Sequence, residues 1–498
     1  MERLSRRSIL KGAAGAGAAA VRVSEGTEGQ APQSPGPLNL IVIVVDTWGA
    51  YWLDCYGHSQ VRTPNVDALA SKSAMFLDAH PEALPTLPAR RAIYTGRRIF
   101  PSWLIQQRDD PVVIRGWHQF YTEDVTMAEA LRAAGYRCGW VTDVYHQFKP
   151  DKNFHRGFDS WRYIRGQEGD RLESGPRHAV NLADYVHRSQ AGLLKRPERS
   201  GPWQYLMNRR GWKSEDDWLA AQVFREASTW LENNARDGQP FYLHVESFSP
   251  HEYWDPPQSY YRTYMKSDYT GPRLISPPAT TEQMTPVEVE HVRALYAGFV
   301  TFVDQWVGKM LNKTASLGLM DNTVILFTAD HGTMMGEQGQ LHKGETRIRR
   351  QVTQVPLILY HPGGRWAGRR IQGFVQHTDI MPTALDALGV KRPARVTGES
   401  LVPLLESGRT SPRETIVIGW GEHGAVRTPE WCYSGRWSPG PAFNELYDVR
   451  RDPDELKNVA AQRPQMVKEL RARLLEHVEG GWALTRGTFA TTLKGPLG

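Results

Sequence analysis

Short, wholly apolar runs recur along the chain, and several of them end in polar residues. The run at 39–46 (NLIVIVVD) is rich in β-branched residues and closes on Asp46. The run at 322–332 (NTVILFTADHG) repeats this design and contains Asp330 and His331. Apolar runs of this length and composition predict buried strands of a parallel sheet.

Two further apolar runs and two helical patterns complete the predicted architecture. The runs at 241–254, which leads to His251, and at 355–364 predict two more strands. Apolar residues recur every three or four positions over 289–318, and 124–143 has the pattern of a helix, a glycine turn and a strand. Strands that alternate with helices predict an α/β sandwich with a large, mostly parallel sheet between helices.

The predicted strand ends suggest a metal site. Ligands of such sheets bind beyond the carboxyl ends of the strands, and Asp46, Asp330 and His331 all fall there. Two carboxylates and an imidazole suit one divalent cation. The oxygen-rich set favours Ca²⁺, Mg²⁺ or Mn²⁺, while the histidine keeps Mn²⁺ or, less readily, Zn²⁺ open.

The segment LPTLPARRAIYTG (84–96) has a structural and a chemical interpretation. Pro88 fixes φ, so the segment is typical of a helix start. Alternatively, a hydroxyl on Thr86 at that helix start, with the Arg90 guanidinium one turn on, is placed to attack or hold a tetrahedral anion. Arg91 is expected to be a surface charge.

These residues occur within segments that resemble the sulfatase family of the alkaline phosphatase superfamily. The resemblance runs from about residue 38 to 475, and eight segments fall in the family's order. They are VDTWGAYWLDCYG (45–57), TPNVDALASKSAMFLDAH (63–80), TLPARRAIYTGR (86–97), SPHEYWDPP (249–257), TADHGTMMGEQGQLHKG (328–344), VQHTDIMPTALDALGV (375–390), GESLVPLL (398–405) and NELYDVRRDPDELKNVA (444–460). The resemblance implies a sulfatase-like sandwich domain over 38–395, and a smaller C-terminal α+β subdomain with a tail over 396–498.

By position, the resemblance also implies a role for each candidate residue. Asp46, Asp330 and His331 would bind the metal ion. Thr86 would take the place of the nucleophile and ligate the ion as well. Arg90 would hold the nucleophile and the transferred group.

The resemblance extends to the substrate side of the site. His251 and Lys343 would contact substrate oxygens, and His251 is a candidate proton donor to the leaving group. His377 and Asp379 lie at positions similar to those that bind a second ion in two-metal relatives. A single ion is nevertheless expected here.

Two departures from the family concern the nucleophile and the metal. Sulfatases convert a cysteine or serine to formylglycine, but this position is Thr86, whose oxidation would give a ketone rather than the aldehyde. No formylglycine is therefore expected, and the residue type favours phosphoryl or phosphonyl transfer over sulfuryl transfer. The family's second aspartate is Thr47 here, a carboxylate that phosphonate monoester hydrolases also lack; Thr47 or water would fill its place.

A third departure concerns substrate binding. Asp143 and Tyr145 stand where true sulfatases carry a Lys-x-His pair, with His146 one position further on. An aspartate there would weaken binding of a dianionic group unless Asp143 turns away or meets an amine of the substrate. The stretch from 156 to about 215 fits no motif of the family and is expected to line the pocket mouth and set substrate choice.

The N-terminal segment and the overall charge bear on location and partners. Residues 5–20 (SRRSILKGAAGAGAAA) resemble a twin-arginine export signal, and the residues up to 37 are typical of a linker, which predicts a periplasmic or extracellular protein. The formal net charge of +6 forms no basic stripe, so nucleic acid is not an expected partner. Three cysteines imply no disulfide framework, and no later run predicts a membrane span.

The sequence therefore predicts a metal-dependent hydrolase that acts on a sulfuric, phosphoric or phosphonic ester of a small molecule or carbohydrate. A phosphoryl-group transferase and a catalytically silent metal-binding protein are the alternatives. The leaving group, the identity of the metal and the oligomeric state stay open.

Overall fold

A computed structural model describes residues 36–57, 60–102, 114–149 and 152–489. The predicted export signal at 5–20 lies outside these residues. From Pro37 onward the chain forms one unit. Within the described part of the chain, none of the helices combines the length and apolar character that a membrane span requires.

Strands and helices alternate through most of the described chain. The strands are β1 (Asn39–Val45), β2 (Ala74–His80), β3 (Ala83–Leu84), β4 (Arg137–Thr142), β5 (Ser160–Tyr163), β6 (Phe241–Ser247), β7 (Thr323–Ala329), β8 (Met334–Met335), β9 (Leu341–His342), β10 (Leu357–Tyr360), β11 (Arg370–Gln376), β12 (Ile416–Trp420), β13 (His423–Arg427), β14 (Trp431–Arg436) and β15 (Asn444–Asp448). The α-helices are α1 (Pro64–Ser71), α2 (Thr86–Thr95), α3 (Met127–Ala133), α4 (Ala191–Lys195), α5 (Gly201–Asn208), α6 (Leu219–Asn234), α7 (Gln258–Arg262), α8 (Pro286–Ser316), α9 (Arg350–Thr353), α10 (Ile380–Ala387), α11 (Val402–Ser407) and α12 (Pro464–Thr485).

The large sheet confirms the predicted α/β sandwich. Its eight strands lie in the order β11-β2-β10-β7-β1-β6-β4-β5. Only β10 among them runs antiparallel to its neighbours. Helix α8 packs against α1, α6 and α7, while α2 packs against α3 and α10. The central strand β1 is buried along its whole length, as its continuous apolar sequence predicts.

Capping residues set the ends of the long helix α8. The Thr285 side chain accepts from the Glu288 N–H, and Glu288 returns the interaction, which is a capping box. Pro286 occupies the first turn. Gly318, in the left-handed region at φ 72°, follows the last helical turn. The helix predicted over 289–318 therefore begins earlier than its apolar periodicity alone indicates.

A second sheet lies mainly in the C-terminal part of the chain. Strands β12 to β15 form an antiparallel meander, and β3 adds to β12 in parallel. Helix α12 covers the sheet with Leu470, Leu474 and Val478. Four of the five strands come from beyond residue 395 and one from before it. The predicted boundary at 395/396 stays a prediction.

Helix α2 is buried on every side, and all of its ten residues are buried. The prediction that Arg91 is a surface charge is therefore wrong, since the side chain is 1% exposed. Its guanidinium lies 2.6 Å from His118 Nε2 and 3.8 Å from Asp124. Two adjacent arginines indicate a solvent-exposed face only on a helix that has such a face. The packing of α2 leaves it without one.

Candidate active site

The register of the parallel strands brings the carboxyl ends of β1, β6 and β7 to one level. Val45 at the end of β1 pairs with Ala329 of β7 and Ser247 of β6. Asp46 and Asp330, which come next in sequence, therefore leave the sheet side by side. Residues remote in the sequence thus meet at the edge where ligands of such sheets bind.

Asp46, Asp330 and His331 form a buried group. One ligand atom of each lies within 4.8 Å of the others, and all three residues are 0% exposed. The Thr47 hydroxyl donates to Asp46 Oδ1 at 2.6 Å and lies 3.5 Å from His331 Nδ1. Thr47, which stands where the family resemblance predicts a second aspartate, thus contacts the other members of the predicted metal site.

The chemistry of its atoms fits this group to a divalent cation. His331 Nε2 is buried without a hydrogen-bond partner among the described residues, and Asp46 Oδ2 makes no hydrogen bond there, its charged neighbour being Arg90 Nη1 at 3.0 Å. Burial lowers the pKa of His331 well below its ordinary value, which keeps the ring in the neutral form that ligates metals. Burial, and then the charge of Asp330, raise the pKa of Asp46, an effect that a bound cation would reverse.

Thr47 is held in an uncommon backbone conformation. Its φ of 62° lies in the left-handed region, which β-branched residues rarely adopt. The Thr47 N–H donates to Asp330 Oδ1 at 2.9 Å, and its carbonyl accepts from the Tyr296 hydroxyl at 2.5 Å. Strained residues fixed in this way cluster at functional sites.

Arg90 lies against the same carboxylates. Its Nη1 is 2.5 Å from Asp330 Oδ2 and 3.0 Å from Asp46 Oδ2. Its Nε is 3.3 Å from Glu246 Oε2. Burial alone would lower the pKa of Arg90, but the three carboxylates together raise it. The guanidinium is therefore a permanent charge at the site.

Thr86 is the first residue of α2 and is 3% exposed. Its carbonyl oxygen accepts from Arg90 Nη1 at 3.3 Å. The same nitrogen contacts Asp46 and Asp330, so one atom of Arg90 ties the start of the helix to the carboxylate group. The role of Thr86 as nucleophile stays a prediction.

His251 and Lys343 form a close pair on the loops after β6 and β9. Lys343 Nζ lies 2.6 Å from His251 Nε2, and His251 Nδ1 lies 2.7 Å from the Glu252 carbonyl oxygen. Because a lysine ammonium can only donate, one arrangement of hydrogens on the His251 ring satisfies both of these contacts. Nδ1–H donates to the carbonyl, and Nε2 accepts from Lys343.

Asp143 and Tyr145 follow β4 at the same edge of the sheet. The Asp143 carboxylate is fully buried and accepts from Gln167 Nε2 and from the Phe248 N–H, both at 2.6 Å. Both of its oxygens are thus engaged by the protein, whereas Tyr145 is half-buried, with its ring 4.9 Å from that of His146. Contact of either residue with substrate stays a prediction.

Comparison with known proteins decides the family. The sequence model of the Sulfatase family matches residues 38–390, and a model described as N-sulphoglucosamine sulphohydrolase, C-terminal, matches residues 339–480. The chain belongs to the sulfatase family. It is accordingly a sulfatase-like ester hydrolase.

The relatives and solved structures to which this chain is similar match nearly its whole length. An arylsulfatase of Clostridium perfringens is 26% identical over 513 residues, which span 92% of this chain and 99% of that protein. The crystal structure of the phosphonate monoester hydrolase of Agrobacterium radiobacter superposes with a TM-score of 0.67 at 23% identity and covers 88% of this chain and 95% of that one. A structure described as a complex with its substrate D-glucosamine-2-N,6-O-disulfate superposes with a TM-score of 0.66 at 19% identity, covering 90% and 98%.

Two polar residues of the candidate site, Glu252 and His342, were not predicted from the sequence. Glu252 Oε1 lies 3.1 Å from His342 Nδ1, and the other carboxylate oxygen lies 3.9 Å from Lys343 Nζ. Burial would raise the pKa of Glu252, but His251, Lys343 and His342 hold it well below its ordinary value. Both residues lie within motifs that resemble the family, so their position next to His251 and Lys343 was the available signal.

Of the two residues considered for a second metal ion, Asp379 is already engaged by other groups of the protein. The Asp379 carboxylate accepts from the Arg413 guanidinium and from the Gln376 and Glu399 N–H groups. His377 is 2% exposed, and burial lowers its pKa to about 3. Among the described residues, the one group with metal-ligand spacing is Asp46, Asp330 and His331.

The unassigned stretch from 156 to about 215 contacts the site through two consecutive residues. Gln167 donates to Asp143, as described above, and Glu168 Oε2 lies 2.6 Å from His146 Nε2. The Phe248 ring lies between His146 and His251, with centroids 6.0 and 4.1 Å away. This stretch therefore packs next to the predicted leaving-group side of the site.

The stability of this protein is expected to depend on pH through Asp143. Burial raises the pKa of Asp143 from 3.8 to about 7, against the hydrogen bonds from Gln167 and Phe248. Because the folded state then binds the extra proton, the free energy of unfolding falls as pH rises through this range, by up to about 4 kcal/mol. Asp143→Asn should remove this part of the slope, which denaturant titrations from pH 4 to 8 would measure. The exposed Asp216→Asn is the control, and an unchanged slope in Asp143→Asn would contradict the assignment.

Proposed function

We propose that the chain is a metal-dependent hydrolase of sulfuric, phosphoric or phosphonic esters with the Thr86 hydroxyl as nucleophile. One observation carries the proposal. The buried group of Asp46, Asp330 and His331 is joined to the start of α2 by a single arginine nitrogen. A cation-binding group, a permanent positive charge and a hydroxyl at a helix start are what in-line transfer of a tetrahedral anion requires.

In the first step the Thr86 oxygen attacks sulfur or phosphorus, and the bond from that atom to the leaving oxygen breaks. The hydroxyl proton passes to solvent. A divalent cation held by the buried group would lower the pKa of the hydroxyl and draw charge from the substrate oxygens. Arg90 supplies a fixed positive charge against the equatorial oxygens as negative charge develops there.

The pair of His251 and Lys343 serves the leaving oxygen. His251 Nδ1–H is committed to the Glu252 carbonyl, so Nε2 is the atom through which a proton moves. Lys343 donates to that same Nε2, so the pair holds the proton that a departing alkoxide needs. Glu252 keeps the pair oriented, since its carboxylate lies 3.4 Å from His251 Nδ1 and 3.9 Å from Lys343 Nζ.

In the second step water attacks the esterified Thr86 and releases the acid. A threonine ester has no carbonyl to reform, so the transferred group leaves only by this direct hydrolysis. That limitation favours phosphorus esters, whose threonine adducts are normal intermediates in related enzymes, over sulfate esters. The match to an arylsulfatase keeps the sulfate esters in the proposal.

The proposed substrate is an ester of a small molecule or carbohydrate. A structure with this fold is described as binding a sulfated glucosamine, which supports a carbohydrate as one class. Residues 5–20 support export through the twin-arginine pathway, hence a periplasmic or extracellular location.

A substrate panel with a common leaving group tests the function. The purified protein, made in a host without formylglycine-generating enzyme, is assayed with the 4-nitrophenyl sulfate, phosphate diester and phosphonate monoester, with Mn²⁺, Ca²⁺ or Zn²⁺ and after treatment with chelator. Turnover that needs metal and no maturation enzyme is the expected result. Transfer to an added alcohol would indicate a transferase, and metal binding without turnover of any ester would overturn the proposal in favour of a silent binding protein.

Removal of the imidazole should matter more for poorer leaving groups. His251→Ala is expected to reduce kcat/KM only a few-fold for a 4-nitrophenyl ester, since 4-nitrophenolate leaves readily without a proton. For the matching alkyl ester we expect a loss of about 10²- to 10⁴-fold, the usual contribution of a positioned acid. The exposed His178→Ala is the control. Equal losses on both esters would exclude His251 from proton transfer.

A further inference from the structure

A row of polar side chains lies on β6, in the buried interior behind the site. Tyr242, His244 and Glu246 alternate along this strand and therefore share one face of the sheet. They are 1%, 0% and 0% exposed. Charged and polar groups are rarely buried this deeply without a partner that requires them.

Glu246 is the end of this row, and four side chains point at its carboxylate. Oε2 lies 3.3 Å from Arg90 Nε and 3.4 Å from Thr142 Oγ1. Oε1 lies 3.1 Å from the Tyr94 hydroxyl and 2.9 Å from His244 Nε2. Burial alone would raise the pKa of Glu246, but Arg90 and His244 lower it below its ordinary value. The carboxylate is therefore a buried negative charge.

The row also fixes the hydrogen positions. His244 Nδ1 lies 2.7 Å from the Tyr242 hydroxyl. Since the Glu246 carboxylate only accepts, His244 Nε2–H donates to it. Since Tyr94 lies one helical turn after Arg90 on α2, the carboxylate is held by the same helix that carries the arginine.

Two of the three nitrogens of the Arg90 guanidinium then have carboxylate partners. Nε is bound by Glu246, and Nη1 is bound by Asp330 and lies next to Asp46. Nη2 is buried and has no hydrogen-bond partner among the described residues. A planar fork fixed at two of its nitrogens presents the third in a defined direction. Nη2 is thus the donor left for an oxygen of the substrate.

We propose that Glu246, backed by His244 and Tyr94, is a positioning residue that sets the orientation of Arg90. Without this negative charge on Nε, the guanidinium would be fixed only through Nη1, by Asp330 and Asp46, and Nη2 would lose its defined direction. Glu246 therefore aims Nη2. Its catalytic consequence rests on the proposed function; its effect on anion binding does not.

The test compares two buried glutamates. Glu246→Gln keeps the shape of the side chain and removes its charge. Glu82→Gln is the matched control, because Glu82 is 3% exposed and accepts from the Ile99 and Phe100 N–H groups at the far end of α2. Both variants are measured for thermal unfolding, for Mn²⁺ affinity and for the affinity of the Mn²⁺-loaded protein for tungstate, an inert tetrahedral anion.

Glu246→Gln is expected to weaken tungstate binding about 10- to 100-fold, the range for a lost hydrogen bond to a charged group. Mn²⁺ affinity should stay near wild type in both variants, and tungstate affinity should stay near wild type in Glu82→Gln. On any ester that is turned over, kcat/KM should fall by a similar factor. In an Arg90→Ala background, Glu246→Gln should add no further loss of tungstate affinity, because Glu246 acts through Arg90.

Two results would overturn the proposal. One is wild-type tungstate affinity in folded Glu246→Gln; the other is a full additional loss in the Arg90→Ala background. If Glu246→Gln does not fold, Tyr94→Phe, which removes one donor to the carboxylate, must weaken tungstate binding for the proposal to stand. If no ester is hydrolysed, the tungstate measurements still decide the role of Glu246, so failure of the proposed function is separately visible.

Discussion

Replacement of Thr86 by alanine is expected to abolish ester hydrolysis, with a loss in kcat of about 10³-fold or more, because no other hydroxyl replaces the attacking atom. Thr86→Ser keeps a hydroxyl at the start of α2 and should retain part of the activity. Initial rates on the ester that the wild-type protein hydrolyses fastest measure both. Intact mass after stalling with a slow substrate should show one phosphoryl or sulfuryl unit on the wild-type chain and none on Thr86→Ala.

The control for this prediction lies at the other end of the same helix. Thr95 is 2% exposed, and its hydroxyl donates to the Arg91 carbonyl at 2.6 Å. Thr95→Ala therefore makes the same chemical change in the same buried helix and should leave kcat nearly unchanged. Wild-type rates in Thr86→Ala would remove the covalent step, and with it the mechanism proposed here.

Asp330→Asn is expected to abolish metal binding and to reduce activity on the order of 10³-fold. The asparagine oxygen can still accept from the Thr47 and His331 N–H groups, which contact Oδ1 at 2.9 and 2.7 Å. The amide NH₂, however, would replace Oδ2, which accepts from Arg90 at 2.5 Å. The change thus removes a negative charge and places the asparagine NH₂ donor next to the Arg90 Nη1 donor. Calorimetric titration with Mn²⁺ and kcat measure the two losses.

A carboxylate in α8 provides the comparison for this variant. Asp304 is 1% exposed and accepts from the Val66 N–H at 2.8 Å and the Asn65 N–H at 3.1 Å. Asp304→Asn should lower the thermal midpoint to a similar extent while leaving Mn²⁺ affinity intact. Metal binding that survives Asp330→Asn would place the ion elsewhere.

The pattern of apolar and polar residues predicted those strands of the fold whose burial depends on their own sequence. Continuous apolar runs indicated β1 and β7, and parallel pairing then required Asp46 and Asp330 to meet, because strands in register end at one level. The burial of Arg91 was not predictable in this way. A single helix does not show how many neighbours will cover it, and α2 is enclosed by elements distant in the sequence.

Glu246 shows what sequence reasoning missed within a correctly predicted strand. The run at 241–254 predicts a strand that leads to His251, and no role was predicted for the polar residues within it. The alternation of Tyr242, His244 and Glu246 was the available signal, since polar residues at every second position of a buried strand require partners on one face. Their partner Arg90 comes from a segment far earlier in the chain, and only the fold connects the two.

The contact between Gln167 and Asp143 has a consequence for engineering. Asp143 also accepts from the Phe248 N–H, and the Phe248 ring stacks on the His251 imidazole. A chimera that exchanges the stretch from 156 to about 215 for that of a relative would therefore remove the Gln167 contact to Asp143 and alter the position of His251. Under the proposed mechanism, protonation of the leaving alkoxide would stay efficient only when the donor stretch supplies its own match for Gln167.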